Sequence, residues 1–134
     1  MVIDDGFLNK LTEQAKRSPR LRMHYDLRDS EQDGSMRMLN AVEPGTVIPV
    51  HRHKETSEEV VVLRGKVEEI LYDECGQVME VYQLEAGTGC VACHVPMGCF
   101  HTCRSLASGS VIIEFKNGKY NPHTTEDFLV MKNI

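Results

Sequence analysis

Short stretches of alternating apolar and polar residues recur along most of the chain. From residue 20 onward they are separated, every 8–12 residues or so, by turn-forming sequences such as Pro44-Gly45 and Cys75-Gly76. A period of two is typical of strands that bury one face. The pattern predicts about nine strands. They cover residues 20–27, 36–45, 46–53, 58–65, 66–77, 78–87, 88–96, 99–107 and 110–118.

Residues 4–17 follow a helical period instead. Phe7, Leu8, Leu11 and Ala15 share one face, two aspartates stand at the start, and Pro19 follows the end. This predicts a short amphipathic helix. At the other end of the chain, Thr125 is a plausible N-cap for a short segment over 126–130.

The order of these elements favours an all-β fold in which a closed or double antiparallel sheet follows one short N-terminal helix. A parallel α/β sheet is disfavoured because the sequence lacks the helices that its crossovers need. A chain of 134 residues suits one domain. We expect an N-terminal helical segment over 1–19, a β-barrel over 20–118 and a C-terminal tail over 119–134.

The net charge and the absence of targeting signals bear on which classes of partner we expect. The net charge is -5 and no run of lysine and arginine forms a stripe, so we expect no nucleic-acid partner. No apolar run approaches the ~18 residues that span a bilayer, and the N-terminus lacks a signal-peptide pattern. We therefore expect a cytoplasmic protein with no membrane partner, whose five cysteines are reduced thiols.

The strongest chemical signal is a pair of histidines one residue apart. In an extended strand, His51 and His53 point to the same face, and Glu58 follows after a loop. A later His101 comes just after the turn 96–98. Three imidazoles and a carboxylate suit a divalent transition metal. The pair alone could instead lie on a solvated face, but the longer pattern G-x5-H-x-H-x4-E-x6-G, followed by P-x-G-x2-H, favours a metal site.

Four cysteines form a second cluster, with the spacing C-x2-C-x5-C-x3-C over residues 90–103. A zinc site built from all four is disfavoured, because the halves of a zinc ribbon are usually separated by a dozen or more residues. Buried inert thiols are the favoured interpretation. As an alternative, Cys103 has the same strand parity as His101 and could lie beside the metal.

The two histidine segments resemble the paired motifs of the cupin superfamily. This resemblance implies a double-stranded β-helix, or jelly-roll barrel, that holds one divalent metal ion such as Zn, Fe, Ni or Mn. It implies the ligands His51, His53, Glu58 and His101. Glu59 competes with Glu58, but the six-residue spacing to Gly65 favours Glu58. The second motif departs from the family pattern, because Gly89 is displaced by one residue and Ser105 stands where an asparagine is usual.

Three longer stretches, residues 3–24, 39–55 and 61–78, resemble the WbuC family of cupin-fold metalloproteins. These are bacterial proteins encoded with genes for O-antigen and other surface-polysaccharide biosynthesis. The resemblance implies a small polar ligand, such as a sugar or sugar nucleotide, with the metal as Lewis acid. An Fe(II)-dependent dioxygenase and a non-catalytic metal-dependent binding module are the alternatives.

The same resemblance places the first predicted strand close to the barrel mouth. Arg20, Arg22 and His24 are therefore candidate contacts for an anionic sugar or a carboxylate. Surface charges on an edge strand are an equally simple interpretation. Because cupins commonly dimerise through their sheets, we also expect a homodimer.

Overall fold

The alternating segments form two antiparallel β-sheets in the computed structural model, which describes residues 1–118 and 127–129. The elements are α1 (Asp5–Arg17), β1 (Arg22–Asp26), β2 (Ser35–Val42), β3 (Glu58–Arg64), β4 (Lys66–Tyr72), β5 (Val78–Glu85), β6 (Ala92–Val95), β7 (Phe100–Ser105) and β8 (Val111–Asn117). The larger sheet has the order β1-β2-β8-β3-β6 and the smaller one β5-β4-β7. This jelly-roll-like arrangement confirms the predicted all-β fold class.

Helix α1 covers the outer face of the larger sheet. Asp4 caps the helix, because its Oδ1 accepts a hydrogen bond of 2.9 Å from the Phe7 N–H. The apolar stripe of the helix packs against alternate residues of the strands beneath it. This outer core consists of Leu8, Leu11, Ala15, Leu39, Ala41 and Val111. No helix in the described residues has the length and apolar character needed to cross a bilayer.

The opposite face of the larger sheet packs against the smaller sheet. This inner core consists of Val42, Val60, Val62, Val67, Leu84, Cys103 and Ile112. Near Glu58, where β3 begins, the inner face also carries polar side chains.

The chain passes from the larger to the smaller sheet at Gly65. Its φ of 84° is in the left-handed region, and an added Cβ would lie 2.7 Å from the Ser110 Cα. Only glycine fits both conditions without strain. Beyond this point β4 and β5 pair from Lys66↔Glu85 to Tyr72↔Val78, which confirms the predicted hairpin.

The predicted strand over 46–53 is wrong. After the turn at Gly45 the chain is irregular, and only His51 makes isolated bridges, to His101 and to Phe128. Pro49 contributes to this, because it has no N–H for a sheet ladder. The part of the chain that the structure describes therefore contains eight strands. The suggested N-cap at Thr125 lies outside the described residues.

Candidate metal centre

The structure brings together the three histidines singled out by their spacing. The ring centroids of His51 and His101 lie 4.5 Å apart, those of His51 and His53 5.2 Å, and those of His53 and His101 6.0 Å. One potential ligand atom of each ring lies within 4.8 Å of the other two. These three residues could therefore hold one metal ion.

Backbone pairing sets this arrangement. The His51 N–H donates to the His101 carbonyl at 3.0 Å, and the His101 N–H donates to the His51 carbonyl at 2.8 Å. Residues that exchange both bonds in an antiparallel pair have side chains on the same face. The His53 carbonyl accepts a bond of 2.8 Å from the Gly98 N–H, which ties the second histidine to the turn before His101.

Hydrogen bonds at Nδ1 orient two of the rings. His51 Nδ1 lies 2.8 Å from the Pro49 carbonyl, and His101 Nδ1 lies 2.6 Å from Glu69 Oε1. Both partners accept, so each Nδ1 carries the proton and donates it. In each ring Nε2 is then the nitrogen that could bind a metal.

Glu58, and not Glu59, faces the histidines. Glu58 is 3% exposed, whereas Glu59 on the other side of β3 is exposed. Glu58 Oε2 lies 3.1 Å from His53 Nε2 and 3.5 Å from His101 Nε2. Within the described residues neither Glu58 Oε2 nor His101 Nε2, both buried, has a partner in hydrogen-bond geometry. Buried polar atoms without partners are costly, and a bound cation would satisfy both, so the donor set fits a divalent metal.

The histidines and Glu58 line a cavity of about 260 Å³ between the sheets. Its remaining wall combines aliphatic, thioether, thiol, amide and charged side chains. These are Arg22, Met36, Met38, Asn40, Ile48, Glu69, Cys103, Glu114 and Lys116. The cavity has room for a small polar ligand beside the metal position.

Three charged residues of this wall were missed in the sequence. Glu69 is 1% exposed and lies in β4 in phase with the buried Val67. Glu114 and Lys116 are in phase with the buried Ile112 of β8. A charged residue at the apolar phase of a strand is the signal that could have identified them.

Burial and the charges of neighbouring groups shift the pKa values of His51 and Glu58. Burial, followed by the charge of His101, lowers the pKa of His51 to about 4, which favours the neutral ring that binds metals. Burial by itself raises the pKa of Glu58, but contact with His53 and the charge of His101 outweigh it, and the net pKa is lowered. Glu58 is therefore held as a carboxylate.

The pKa values of the other two carboxyl groups in the wall are raised, unlike that of Glu58. Burial raises the pKa of Glu69 despite its bond to His101, and burial together with the charges of Glu58 and Glu69 raises the pKa of Glu114 well above its usual value. Burial lowers the pKa of Lys116. Of the two carboxyl groups, Glu114 is the one whose protonated form burial favours more strongly.

Of the three predicted substrate contacts, the structure places only Arg22 in the cavity wall. Its Nη1 donates to the Val47 carbonyl at 2.8 Å, so it also supports the segment that leads to His51. Arg20 and His24 are exposed and are not among the lining residues. The strand alternation fails at Leu21, which has a φ of 56°, so Arg20 and Arg22 are not consecutive residues of one strand face.

The cysteines are dispersed. Cys103 is buried in the cavity wall, Cys93 and Cys99 are half-buried, and Cys90 is exposed. No group of cysteines in residues 1–118 and 127–129 is close enough to hold a metal. Burial raises the pKa of Cys93 to about 12 and that of Cys103 well above its usual value, which favours unreactive thiols at these two positions.

Known structures define the class. KdgF from Halomonas sp. superposes with a TM-score of 0.61 at 18% identity, over 77% of this chain and 84% of that one. CapF from Staphylococcus aureus superposes with a TM-score of 0.66 at 19% identity, over 78% of this chain and 30% of that one. The oxalate decarboxylase OxdC of Bacillus subtilis gives 0.57 at 17%, over 73% and 25%. At these identities the likeness shows the fold alone, and the protein is of the cupin-fold class.

The family is defined by sequence. Residues 3–84 match the model of a family described as Domain of unknown function (DUF6016), and the chain belongs to that family. The match includes His51, His53 and Glu58 and ends before His101. No curated protein matches the chain.

Proposed function

We propose that His51, His53, His101 and Glu58 hold one divalent transition metal ion, and that the cavity presents a small polar molecule to it. The observation that carries this proposal is the convergence of three imidazoles within 4.8 Å at the end of a cavity that also contains a buried carboxylate. Three neutral imidazoles and one carboxylate leave an octahedral ion two further positions for a ligand.

The metal, when bound, would supply Lewis acidity. The other residues act on the ligand. Arg22 contributes a cation and Asn40 a carboxamide to the wall, while Glu114 is favoured in its protonated form and can donate a hydrogen bond. This combination of donors and charge suits a hydroxylated or anionic molecule, such as a sugar or sugar nucleotide.

We place the protein in bacterial surface-polysaccharide biosynthesis as a member of the WbuC group. Two findings support this proposal. The stretches 3–24, 39–55 and 61–78 resemble that group, and CapF, a fold neighbour, is described as a capsular polysaccharide assembling protein. The homodimer and the cytoplasmic location stay predictions, and sedimentation velocity tests the first.

Elemental analysis of the protein, purified without a histidine tag or added metal, tests the metal proposal. We expect close to one equivalent of a transition metal in the wild type and in His94→Ala, whose ring is exposed and bonded to Glu59 on the surface. We expect almost none in His51→Ala and His101→Ala with the β-sheet circular dichroism retained. Full occupancy in both of the latter variants would contradict the ligand assignment.

The identity of the bound metal also distinguishes between chemistries. Iron would give weight to the dioxygenase alternative, because that chemistry needs a redox-active ion, and O2 uptake with candidate sugars would then be measured. Zinc would favour Lewis-acid chemistry or ligand binding without turnover.

A further inference from the structure

The segment that carries the first two histidines has little regular structure of its own. Residues 46–57 connect β2 to β3, and His51 is the one residue in that stretch with β-bridge pairing. A metal centre requires ligand positions to be held to a fraction of an ångström. Something outside the segment must therefore fix His51.

Backbone hydrogen bonds from two sides fix it. On one side His51 exchanges two bonds with His101 of β7. On the other side the Arg52 N–H donates to the Asp127 carbonyl at 2.8 Å, and the Leu129 N–H donates to the Val50 carbonyl at 3.0 Å. His51 thus lies between two isolated antiparallel β-bridges, one to His101 and one to Phe128.

Side-chain contacts of Arg52 and Lys54 reinforce this arrangement. The Arg52 guanidinium lies 4.5 Å from the centre of the Phe100 ring and 3.1 Å from Glu74. Arg52 lies between His51 and His53 in the sequence, and its side chain makes these contacts while both imidazoles line the cavity. Lys54 Nζ lies 4.0 Å from Asp127, a further contact between the two segments.

We propose that residues 127–129 form a C-terminal strap that positions His51 for metal binding. The strap acts through the main chain of residues 50–52, on the side of His51 opposite to β7. This inference rests on the proposed metal-binding function, and it assigns to residues beyond the barrel strands a share of the metal affinity.

The test compares Leu129→Pro with Leu129→Ala in the full-length chain. Proline removes the N–H that donates to Val50, whereas alanine keeps it and accounts for loss of the side chain. The metal-free proteins are titrated with Co²⁺, whose absorption spectrum reports coordination geometry. Urea unfolding of the metal-free variants and far-UV circular dichroism record the fold separately.

We expect Leu129→Pro to weaken Co²⁺ binding by about tenfold or more, the range seen when groups that orient metal ligands are removed, and to change the visible spectrum. Leu129→Ala should bind like the wild type, and both variants should retain the β-sheet signal. Equal affinities and identical spectra in all three proteins would overturn the strap. So would a loss of affinity that Leu129→Ala shares in full, because the backbone bond would then not be the cause.

The same titration distinguishes failure of the metal-binding proposal from failure of the strap. If the wild type itself takes up no Co²⁺, the metal-binding function is wrong and the strap falls with it. If Leu129→Pro loses the β-sheet signal, the amide exchange rate of Arg52 in the wild type replaces it as the test. Protection of that amide that does not rise on Co²⁺ binding would contradict coupling between the strap and the metal position.

Discussion

The two faces of the larger sheet are built by the same strands for different purposes. In β2, Leu39 and Ala41 face helix α1, whereas Met38 and Asn40, which alternate with them, face the cavity. In β8, Val111 belongs to the outer core and Glu114 to the cavity wall. The outer face is closed by apolar contacts, and the inner face becomes polar toward the histidines.

This difference shows how a small protein can contain a charged cavity. Burying Glu58, Glu69 and Glu114 costs free energy, because carboxyl groups lose their hydration whether or not they are charged. Each leucine or valine buried under the helix contributes about 1.5–3 kcal/mol in the opposite direction. Alternation lets each strand supply both, so stability and chemistry are separable by changing adjacent residues.

Leu39→Ala gives the largest expected effect. Leu39 is fully buried under the helix, and we expect the free energy of unfolding to fall by about 2–5 kcal/mol with metal stoichiometry unchanged. The matched change on the inner face is Met38→Ala, which should cost less than about 2 kcal/mol because Met38 is only half-buried. Urea unfolding measures both. A larger loss for Met38→Ala would contradict the division between faces.

Metal binding should stabilise the protein only when the histidines of the inner face are intact. With free Zn²⁺ at about 100 times its dissociation constant, the wild type should gain about 2.7 kcal/mol in the free energy of unfolding. His101→Ala should gain almost nothing, and the surface variant His94→Ala should behave as the wild type. Urea unfolding with and without Zn²⁺ tests this. Equal stabilisation of His101→Ala would mean that Zn²⁺ binds elsewhere.

Glu69→Gln should weaken the metal site without removing it. Glutamine can still accept the His101 Nδ1 hydrogen bond of 2.6 Å, but it lacks the charge that makes the ring more basic. We expect about a tenfold loss of Zn²⁺ affinity, measured by competition with a chromogenic chelator. Glu68→Gln, one residue away on the outer face of the smaller sheet, is the control. Equal losses in the two variants would exclude a role specific to Glu69.

Thiol reactivity compares the interior with the surface without any change to the fold. Cys90 is exposed, whereas burial raises the pKa of Cys93 to about 12. At pH 8 roughly one Cys93 in ten thousand would be thiolate, the reactive form. Mass spectrometry after brief iodoacetamide treatment should find Cys90 alkylated and Cys93 intact, with Cys93 labelling still rising toward pH 12. Equal rates at pH 8 would contradict burial of the Cys93 thiol in the inner core.

Local patterns in the sequence determined a large part of this protein. The period of two predicted eight strands that formed, and the helical period predicted α1, because burial of one face imposes those periods on any chain. Strand parity and the spacing to Gly65 distinguished Glu58 from Glu59 in the sequence alone. The parity rule failed at residues 46–53, where Pro49 and an irregular path replaced the ladder, although His51 and His53 still lie together.

Only the tertiary structure decided the surroundings of the histidines. Glu69 reaches His101 because β4 pairs with β7, and residues 127–129 reach Val50 and Arg52 from the far end of the chain. The left-handed Leu21 breaks the strand alternation between Arg20 and Arg22. His24 lies on the edge strand β1 and is exposed. These are long-range pairings and single dihedral angles, and a local pattern cannot determine them, because it fixes which face a side chain takes and not which partner it meets.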